Sequence, residues 1–302
     1  MTERFKRLGV AIATALLLVP TVSAKQYLNE DFAYPAGDLY NQGGWLKFYS
    51  NRTEAPIQIG APALTYPGYQ DAAKGSAVTI SGNNNGKDQR LWKEFSPKGI
   101  TSGACYASML INVTDAQDKF FPFAFIKPGY AGFADEKTGR EYARLVIEKG
   151  SADGKYKVSV GKGSNNGTYV ADELDLGKTY LMVVKYDFTN DKTTESVSIY
   201  VNPTPGEAEP ATADATFTNT TPTGNLNCVT LYQNSSPVCA ASKLTIDALR
   251  VADTWADLFQ ANTGGDQPTD TPSFSIDNSS LDIATYAGYQ YHYPVAVSYT
   301  HL

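Results

Sequence analysis

The feature of this sequence that most constrains its fold is a series of short segments with alternating apolar residues, separated by clusters of turn-forming residues. Val197, Ile199 and Val201 alternate with their neighbours. Period-two alternation places every second side chain on one face of a strand. Residues 179–188 and 195–202 are therefore predicted to form a hairpin of two half-buried strands.

The same pattern continues through most of the chain. Turn signals recur between residues 25 and 261, as in the Asn and Gly clusters at 83–86 and 163–167. Helical periodicity is confined to residues 254–259, and there is no alternation of strands with long helices that would predict a parallel sheet. The abundance of Tyr (20 residues) and Gly (25 residues) favours strands and tight turns over helices. We expect an all-β protein.

Charge and the scarcity of His and Cys exclude several classes of function. The chain has 25 Lys and Arg against 31 Asp and Glu, a net charge of −6, and no basic cluster beyond its N-terminus. A surface for the phosphates of nucleic acid is therefore not expected. Two His and three Cys are too few for a zinc site of the usual spacing or for a His-based catalytic triad.

Residues 1–24 have the pattern of a secretory signal peptide. Three basic residues precede an apolar run at 8–19, and a small-residue exit ends at Ala24. The apolar run is too short to span a bilayer comfortably. We expect cleavage after Ala24, a secreted, periplasmic or cell-surface location, and no membrane span after cleavage. An uncleaved N-terminal anchor is the alternative.

The C-terminal part of the chain differs from the rest. Residues 262–272 are rich in turn formers and read as a linker. Residues 273–296 alternate like the first strands of an immunoglobulin-like sandwich, which needs on the order of 100 residues, so they are expected to be the stub of a truncated domain. Residues 297–302 resemble the translation of a transposon-end adaptor used in DNA sequencing, and the native protein is expected to continue as a longer chain.

Motifs at both ends of residues 25–261 carry a family resemblance. The segments Phe-Ala-Tyr-Pro-Ala-Gly-Asp-Leu at 32–39 and Gly-Gly-Trp at 43–45, with Ile-Asp-Ala-Leu-Arg-Val at 246–251 and Trp-Ala-Asp at 255–257, resemble secreted concanavalin A-like (laminin-G-like) jelly-roll domains. The resemblance implies a two-sheet antiparallel sandwich whose first and last strands lie side by side. It also implies a monomeric module that binds a glycan or another cell-surface ligand.

The carboxylate pattern of an enzyme with this fold is incomplete. Glycosidases of this kind carry Glu-x-Asp-x-x-Glu on one strand, because alternate residues share a face. The nearest match, Glu173-Leu174-Asp175, is followed by Gly177 and Lys178 where a second catalytic carboxylate is required. We therefore expect a protein that is not an enzyme. An accessory domain of a hydrolase whose catalytic domain lies downstream, and a purely structural or adhesive spacer, are the alternatives.

Sugar recognition combines aromatic rings, which stack on apolar sugar faces, with polar groups that bind hydroxyls. Tyr69 and Tyr130 adjoin glycines in turn-rich segments and are expected to be exposed. Trp45 and Trp92 lie in alternating strand patterns, for which burial in the core is the alternative. Arg144 ends a predicted loop that begins at Tyr130 and contains Glu136 and Glu141. The candidate ligand-binding residues are Tyr69, Tyr130, Arg144, Trp45 and Trp92, with Tyr49 and Tyr66 as further candidates.

The resemblance also implies a structural Ca²⁺ between the terminal strands. Glu30 or Asp31 together with Asp247 would supply the hard oxygen ligands that Ca²⁺ requires. Acceptance of backbone hydrogen bonds by Asp247 is the alternative.

Two of the three cysteines bracket a turn-rich loop between predicted strands. Because the chain is expected to enter an oxidising compartment, Cys228 and Cys239 are predicted to form a disulfide. Cys105 is then a buried free thiol, and its pairing with either of the other two is the alternative.

Overall fold

Alternating apolar residues build two antiparallel sheets in the part of the chain that the computed structural model describes. The described residues are 26–48, 55–69, 72–81, 89–126, 141–189, 195–219, 225–233 and 242–260. The signal peptide, the linker at 262–272, the immunoglobulin-like stub and the final six residues all lie outside these ranges.

The described residues form short strands and one helical turn. In chain order these are β1 (Gln26–Glu30), β2 (Gly37–Asp38), β3 (Leu46–Lys47), β4 (Gln58–Ala61), β5 (Ala77–Ser81), β6 (Arg90–Glu94), β7 (Gly103–Asp115), β8 (Phe120–Ile126), β9 (Glu141–Lys149), β10 (Lys155–Gly161), β11 (Thr168–Tyr169), β12 (Leu174–Asp175), β13 (Thr179–Phe188), β14 (Glu195–Val201), β15 (Ala215–Asn219), β16 (Cys228–Tyr232), β17 (Lys243–Ala252) and α1 (Trp255–Leu258).

The strands are divided between a sheet of nine and a sheet of eight. The nine-stranded sheet has the order β15-β14-β13-β7-β17-β5-β4-β2, with β1 also paired to β17. The eight-stranded sheet has the order β11-β10-β9-β8-β16-β6-β3, with β12 also paired to β10. Leu28 of the first strand lies opposite Val251 of the last. The predicted antiparallel jelly-roll sandwich, with its terminal strands side by side, is confirmed.

Side-chain alternation creates the core between the sheets. In β8, Phe123 and Phe125 point into the main apolar cluster, whereas Ala124 between them points away from it. In β9, Leu145 and Ile147 point into the same cluster. The two sheets thus bury their inner faces against each other, as a sandwich requires.

The predicted hairpin is confirmed, but its burial differs from the prediction. β13 pairs antiparallel with β14, with Tyr186 opposite Val197. The expectation of half-buried strands is wrong for β13, because Leu181 and Val183 on its other face are also fully buried. They pack in a second apolar cluster beneath α1, so both faces of this strand are covered.

The second cluster covers the outer face of the nine-stranded sheet. Trp255 and Leu258 of α1 are buried there, and Tyr69 packs against them from a separate segment. Thr254 caps the helix by accepting a hydrogen bond from the backbone N–H of Asp257 at 3.3 Å. The predicted helical segment at 254–259 is confirmed.

A β-bulge divides β17 into two halves. Before it, Ile246 lies opposite Val78 of β5; after it, Leu249 lies opposite Glu30 of β1. The register shift falls between Asp247 and Arg250, and Ala248 within it has a φ of 49°. A left-handed backbone at a residue with a Cβ is strained, so surrounding contacts must hold it in place.

None of the helices formed by the described residues has the length and apolar character needed to cross a membrane.

An ion pair lies buried at the end of the sandwich. The ammonium of Lys162 lies 3.0 Å from the carboxylate of Glu195, and both side chains are almost fully buried. The hydroxyl of Tyr186 donates a hydrogen bond to the same carboxylate. Removing one partner of such a pair leaves the other charge buried without compensation.

We predict that Lys162→Met lowers the free energy of unfolding by about 3 to 5 kcal/mol, because the buried Glu195 loses the ammonium that lies 3.0 Å from it. Urea denaturation measures the loss. The double variant Lys162→Met/Glu195→Gln should recover part of it, since Gln is neutral and still accepts the hydrogen bond from Tyr186. A double variant less stable than the single one would contradict this account.

Candidate functional site

The candidate site lies on the outer face of the eight-stranded sheet, the face that points away from the sandwich core. Two arginines stand there on strands separated by β8 and β16: Arg90 on β6 and Arg144 on β9. Sheet faces that point away from a core ordinarily carry solvated polar residues. Here the side chains of both arginines are only 12% exposed.

One carboxylate holds the two arginines. Glu141, the first residue of β9, places its Oε2 atom 2.5 Å from Nη2 of Arg144. Its Oε1 atom contacts Nη2 of Arg90. Arg144 also donates from Nη1 to the side-chain oxygen of Asn165 at 2.9 Å. We call these three charged residues the Arg90–Glu141–Arg144 cluster.

Aromatic rings pack against both guanidinium groups. The Arg90 guanidinium lies 4.0 Å from the ring centroid of Phe48 and 5.3 Å from that of Tyr232. The Arg144 guanidinium lies 4.3 Å from the ring centroid of Phe121. Stacking of this kind fixes the plane of each guanidinium and leaves its edge available for hydrogen bonds.

The cluster carries a net positive charge inside an acidic protein. Two guanidinium groups face one carboxylate within it. Burial lowers the pKa of Arg144 to about 10, so this side chain stays protonated at neutral pH. Its buried Nε atom has no hydrogen-bond partner among the described residues. Because an unpaired buried donor is costly, an acceptor at this position would be stabilising.

Two of the candidate ligand-binding residues lie on this face. Arg144 belongs to the cluster, and Trp92, 8% exposed, packs beside it with Phe48 and Ile126. The indole N–H of Trp92 donates to the carbonyl of Lys47 at 3.4 Å. The prediction of a loop reaching Arg144 is wrong, because β9 already begins at Glu141.

Two other predicted residues lie elsewhere. The expectation that Tyr69 is exposed is wrong: it is 4% exposed, because its hydroxyl bonds to Ser108 and to the carbonyl of Ala248 beneath the second cluster. Trp45 is fully buried in the core and donates to Glu30 at 3.0 Å, which is the alternative stated above. Tyr130 lies outside the described residues.

Arg90, Phe121 and Tyr232 were not among the residues predicted from the sequence. A signal for Arg90 was present, because residues two apart in a strand share a face and Arg90 precedes Trp92 by two positions. Phe121 on β8 and Tyr232 on β16 meet on this face because their strands are paired. Their ring centroids are 5.0 Å apart, a contact that depends on the pairing of β8 with β16.

The three carboxylates proposed for Ca²⁺ do not form a cation site. Glu30 accepts hydrogen bonds from Tyr34 and Trp45 and lies 2.6 Å from the ammonium of Lys93. Asp247 accepts backbone N–H groups of Leu64 and Ala248, each at 2.7 Å. Among the residues that the structure describes, no group of three or more His, Cys, Asp or Glu is arranged to hold a metal.

Asp31, the remaining member of that set, accepts a hydrogen bond from the backbone N–H of Ala33 at 3.2 Å. The oxygens that Ca²⁺ would need are thus largely used by N–H, O–H and ammonium donors of the protein itself. The residues present do not fit a Ca²⁺ ion. Asp247 instead accepts backbone hydrogen bonds, as the alternative prediction for this residue states.

The structure describes one of the two cysteines of the predicted disulfide, Cys228. Cys228 is a buried free thiol that donates to the side-chain oxygen of Asn227 at 3.0 Å, and it packs beside Trp92. Burial raises its pKa to about 12. Cys239, the proposed partner, lies outside the described residues. Cys105 is a buried free thiol, as predicted.

The carboxylates of the nearest glycosidase-like pattern make local contacts. Glu173 accepts the backbone N–H of Ser151 at 2.8 Å, and Asp175 lies 2.5 Å from the ammonium of Lys155. Both lie away from the Arg90–Glu141–Arg144 cluster, on or beside β12 at the margin of the sheet.

No protein-family model and no curated protein matches the sequence. Similar solved structures include the globular domain of T. cruzi calreticulin, with a TM-score of 0.46 and 10% identity over 78% of this chain and 91% of that one. A carbohydrate esterase from the Shiga toxin-encoding bacteriophage phi24B has a TM-score of 0.43 and 10% identity over 74% and 98% of the two chains. Domain 4 of an extracellular arabinanase from Geobacillus stearothermophilus has a TM-score of 0.41 and 14% identity over 78% and 99%.

Asp247 should make stability depend on pH. Burial, opposed by the two backbone hydrogen bonds, raises its pKa to about 7 from a usual value of 3.8. Between these values the folded state binds more protons than the unfolded state, so stability falls as pH rises. We predict that Asp247→Asn reduces this loss of stability between about pH 4 and pH 7 by up to roughly 4 kcal/mol.

Urea denaturation of the wild type and of Asp247→Asn across this pH range measures the difference. The variant should also be less stable at the acidic end, since an amide oxygen accepts from only one side of the group. Identical slopes for the two proteins would show that Asp247 is ionised normally in the folded state.

Proposed function

We propose that this domain is a secreted, non-catalytic module that binds an acidic glycan on the outer face of the eight-stranded sheet. The observation that carries the proposal is the Arg90–Glu141–Arg144 cluster, in which one carboxylate leaves a net positive charge against aromatic rings. The glycan is one that bears carboxylate or sulfate groups.

The chemistry of the cluster matches such a ligand. A guanidinium presents parallel N–H donors that bind a carboxylate or sulfate in a bidentate manner. Glu141 already orients Arg144, so less side-chain freedom is lost when a ligand binds. Aromatic rings stack on the apolar faces of sugar rings. Tyr232 lies on the same face as the cluster, is only partly buried and supplies such a surface.

The charge of the whole chain favours a local site over diffuse attraction. With a net charge of −6, the protein repels polyanions at long range. Retention of an acidic polymer therefore requires specific contacts at a positive position, and the cluster is such a position. The same reasoning predicts weaker binding at high salt, because charge pairs near a surface are screened.

We also propose that the domain binds its glycan without catalysing a reaction. Glu141 is engaged by two guanidinium groups at once, so it does not stand as a free acid or base on this face. The pair Glu173 and Asp175, the nearest to a glycosidase pattern, is bound to Ser151 and Lys155 instead. A secreted binding module accounts for these features without a reaction.

Matched polysaccharide pairs test the ligand class. We predict that polygalacturonate retards the full chain in affinity electrophoresis and that fully methyl-esterified pectin does not, because esterification removes the carboxylates. Dextran sulfate against dextran makes the same comparison for sulfate. Equal mobility in all four gels would contradict acidic-glycan binding and favour a structural spacer, whereas shortening of any of these polymers would reveal an enzyme.

A variant pair locates the site. We predict that Arg144→Ala weakens binding of the retarding polymer by about tenfold or more, equivalent to at least about 1.4 kcal/mol. Lys157→Ala is the matched control, because it removes a cation from the outer face of the neighbouring strand β10, outside the cluster. Binding constants come from titration of mobility with polymer. Equal effects of the two substitutions would place the site elsewhere.

A further inference from the structure

A rigid turn projects from the covered face of the nine-stranded sheet. In the segment Tyr66-Pro67-Gly68-Tyr69, the backbone N–H of Tyr69 donates to the carbonyl of Tyr66 at 3.1 Å. Gly68 has a φ of 76°. Proline at the second position and a left-handed glycine at the third are the signature of a type II turn. Tyr69 anchors the turn through its buried hydroxyl, so Tyr66 is held at a fixed height above the sheet.

A second rigid segment stands opposite the turn. Asn202 has a φ of 55°, donates its backbone N–H to Leu181 at 2.7 Å, and accepts the backbone N–H of Leu181 on its side-chain oxygen at 3.1 Å. This second bond fixes the amide, so its NH₂ group points away from the strand. Pro205 follows, and a Cβ on Gly68 would lie 3.8 Å from the Pro205 ring. The two segments therefore meet at one end.

The two segments enclose a cleft of about 480 Å³. It is lined by Thr65, Tyr66, Pro67, Lys178, Thr179, Asn202, Thr204 and Pro205. A neighbouring cavity of about 350 Å³ shares Thr65 and Tyr66 as a common wall. Tyr66 is half-buried and stands between the two spaces. A volume of this size lies in the range of small-ligand sites.

The lining has the chemistry of a site for uncharged hydroxyl groups. Thr65, Thr204 and Asn202 are exposed and present hydroxyl and amide groups, and Tyr66 presents an aromatic ring. Lys178 is the single charged residue among the described residues that line this cleft, and its ammonium can also donate hydrogen bonds to neutral hydroxyls.

We propose that the cleft between the Tyr66 turn and the Asn202 loop is a second binding site, which takes a sugar unit of a neutral glycan. The sugar stacks on Tyr66 and places its hydroxyls against Thr65, Asn202 and Thr204. The site lies on the nine-stranded sheet, whereas the Arg90–Glu141–Arg144 cluster lies on the eight-stranded sheet. The proposal is therefore independent of acidic-glycan binding.

Affinity electrophoresis of the full chain in laminarin, galactomannan and arabinoxylan tests the proposal. At least one of these neutral polymers should retard the wild type. Tyr66→Ala should weaken that binding by about tenfold, because the stacking surface is lost. Tyr66→Phe, which keeps the ring and removes only the hydroxyl, should bind within about threefold of the wild type. Arg144→Ala should bind like the wild type.

A second variant guards against a folding effect at Tyr66. Thr204→Arg changes an exposed loop residue and fills the cleft with a long side chain, so it should abolish retardation while the unfolding temperature stays unchanged. Failure of all three polymers to retard the wild type overturns the second site, as does unchanged binding by Tyr66→Ala and Thr204→Arg. Loss of neutral-polymer binding in Arg144→Ala alone assigns it to the cluster instead.

Discussion

The buried carboxylate of Asp247 is the interaction on which the covered side of this sandwich depends. It lies in the bulge where β17 changes partner from β5 to β1. One oxygen accepts the N–H of Ala248, whose left-handed backbone would otherwise be strained, and the other accepts the N–H of Leu64. One side chain thus stabilises the bulge and fixes the start of the segment that crosses the sheet above it.

Because the segment that begins at Leu64 covers the nine-stranded sheet, the outer faces of the two sheets differ in their chemistry. On the nine-stranded sheet, the ring centroid of Tyr69 lies 4.0 Å from the guanidinium carbon of Arg250. The same guanidinium donates a hydrogen bond to the carbonyl of Leu258 in α1. The face becomes a second apolar layer, and the cleft beside Tyr66 lies at its margin. On the eight-stranded sheet the outer face instead carries charged residues stacked on aromatic rings. The two proposed sites follow from this difference between the faces.

Much of the fold could be predicted because its signals are local. Alternation in residues 195–201 specified a strand and its partner, and the capped segment at 254–259 specified the one helical turn. The candidate site was predicted less well. Arg144 and Trp92 were found by residue type, whereas Tyr69 was misplaced because its neighbouring glycine indicates a turn but not what the turn packs against. Glu141 was assigned to a loop, since a strand edge in charged sequence has no apolar signal.

The sequence by itself determined the class of structure: strands, turns and the antiparallel pairing of neighbouring strands. These follow from periodicity and turn chemistry, which act between residues close in the chain or within one hairpin. Only the tertiary structure decided which polar residues come together. Arg90 and Glu141 are 51 positions apart, and Leu64 and Asp247 are 183 apart. Contacts over such separations depend on strand order and on a bulge that shifts the register, and neither is encoded in any local pattern.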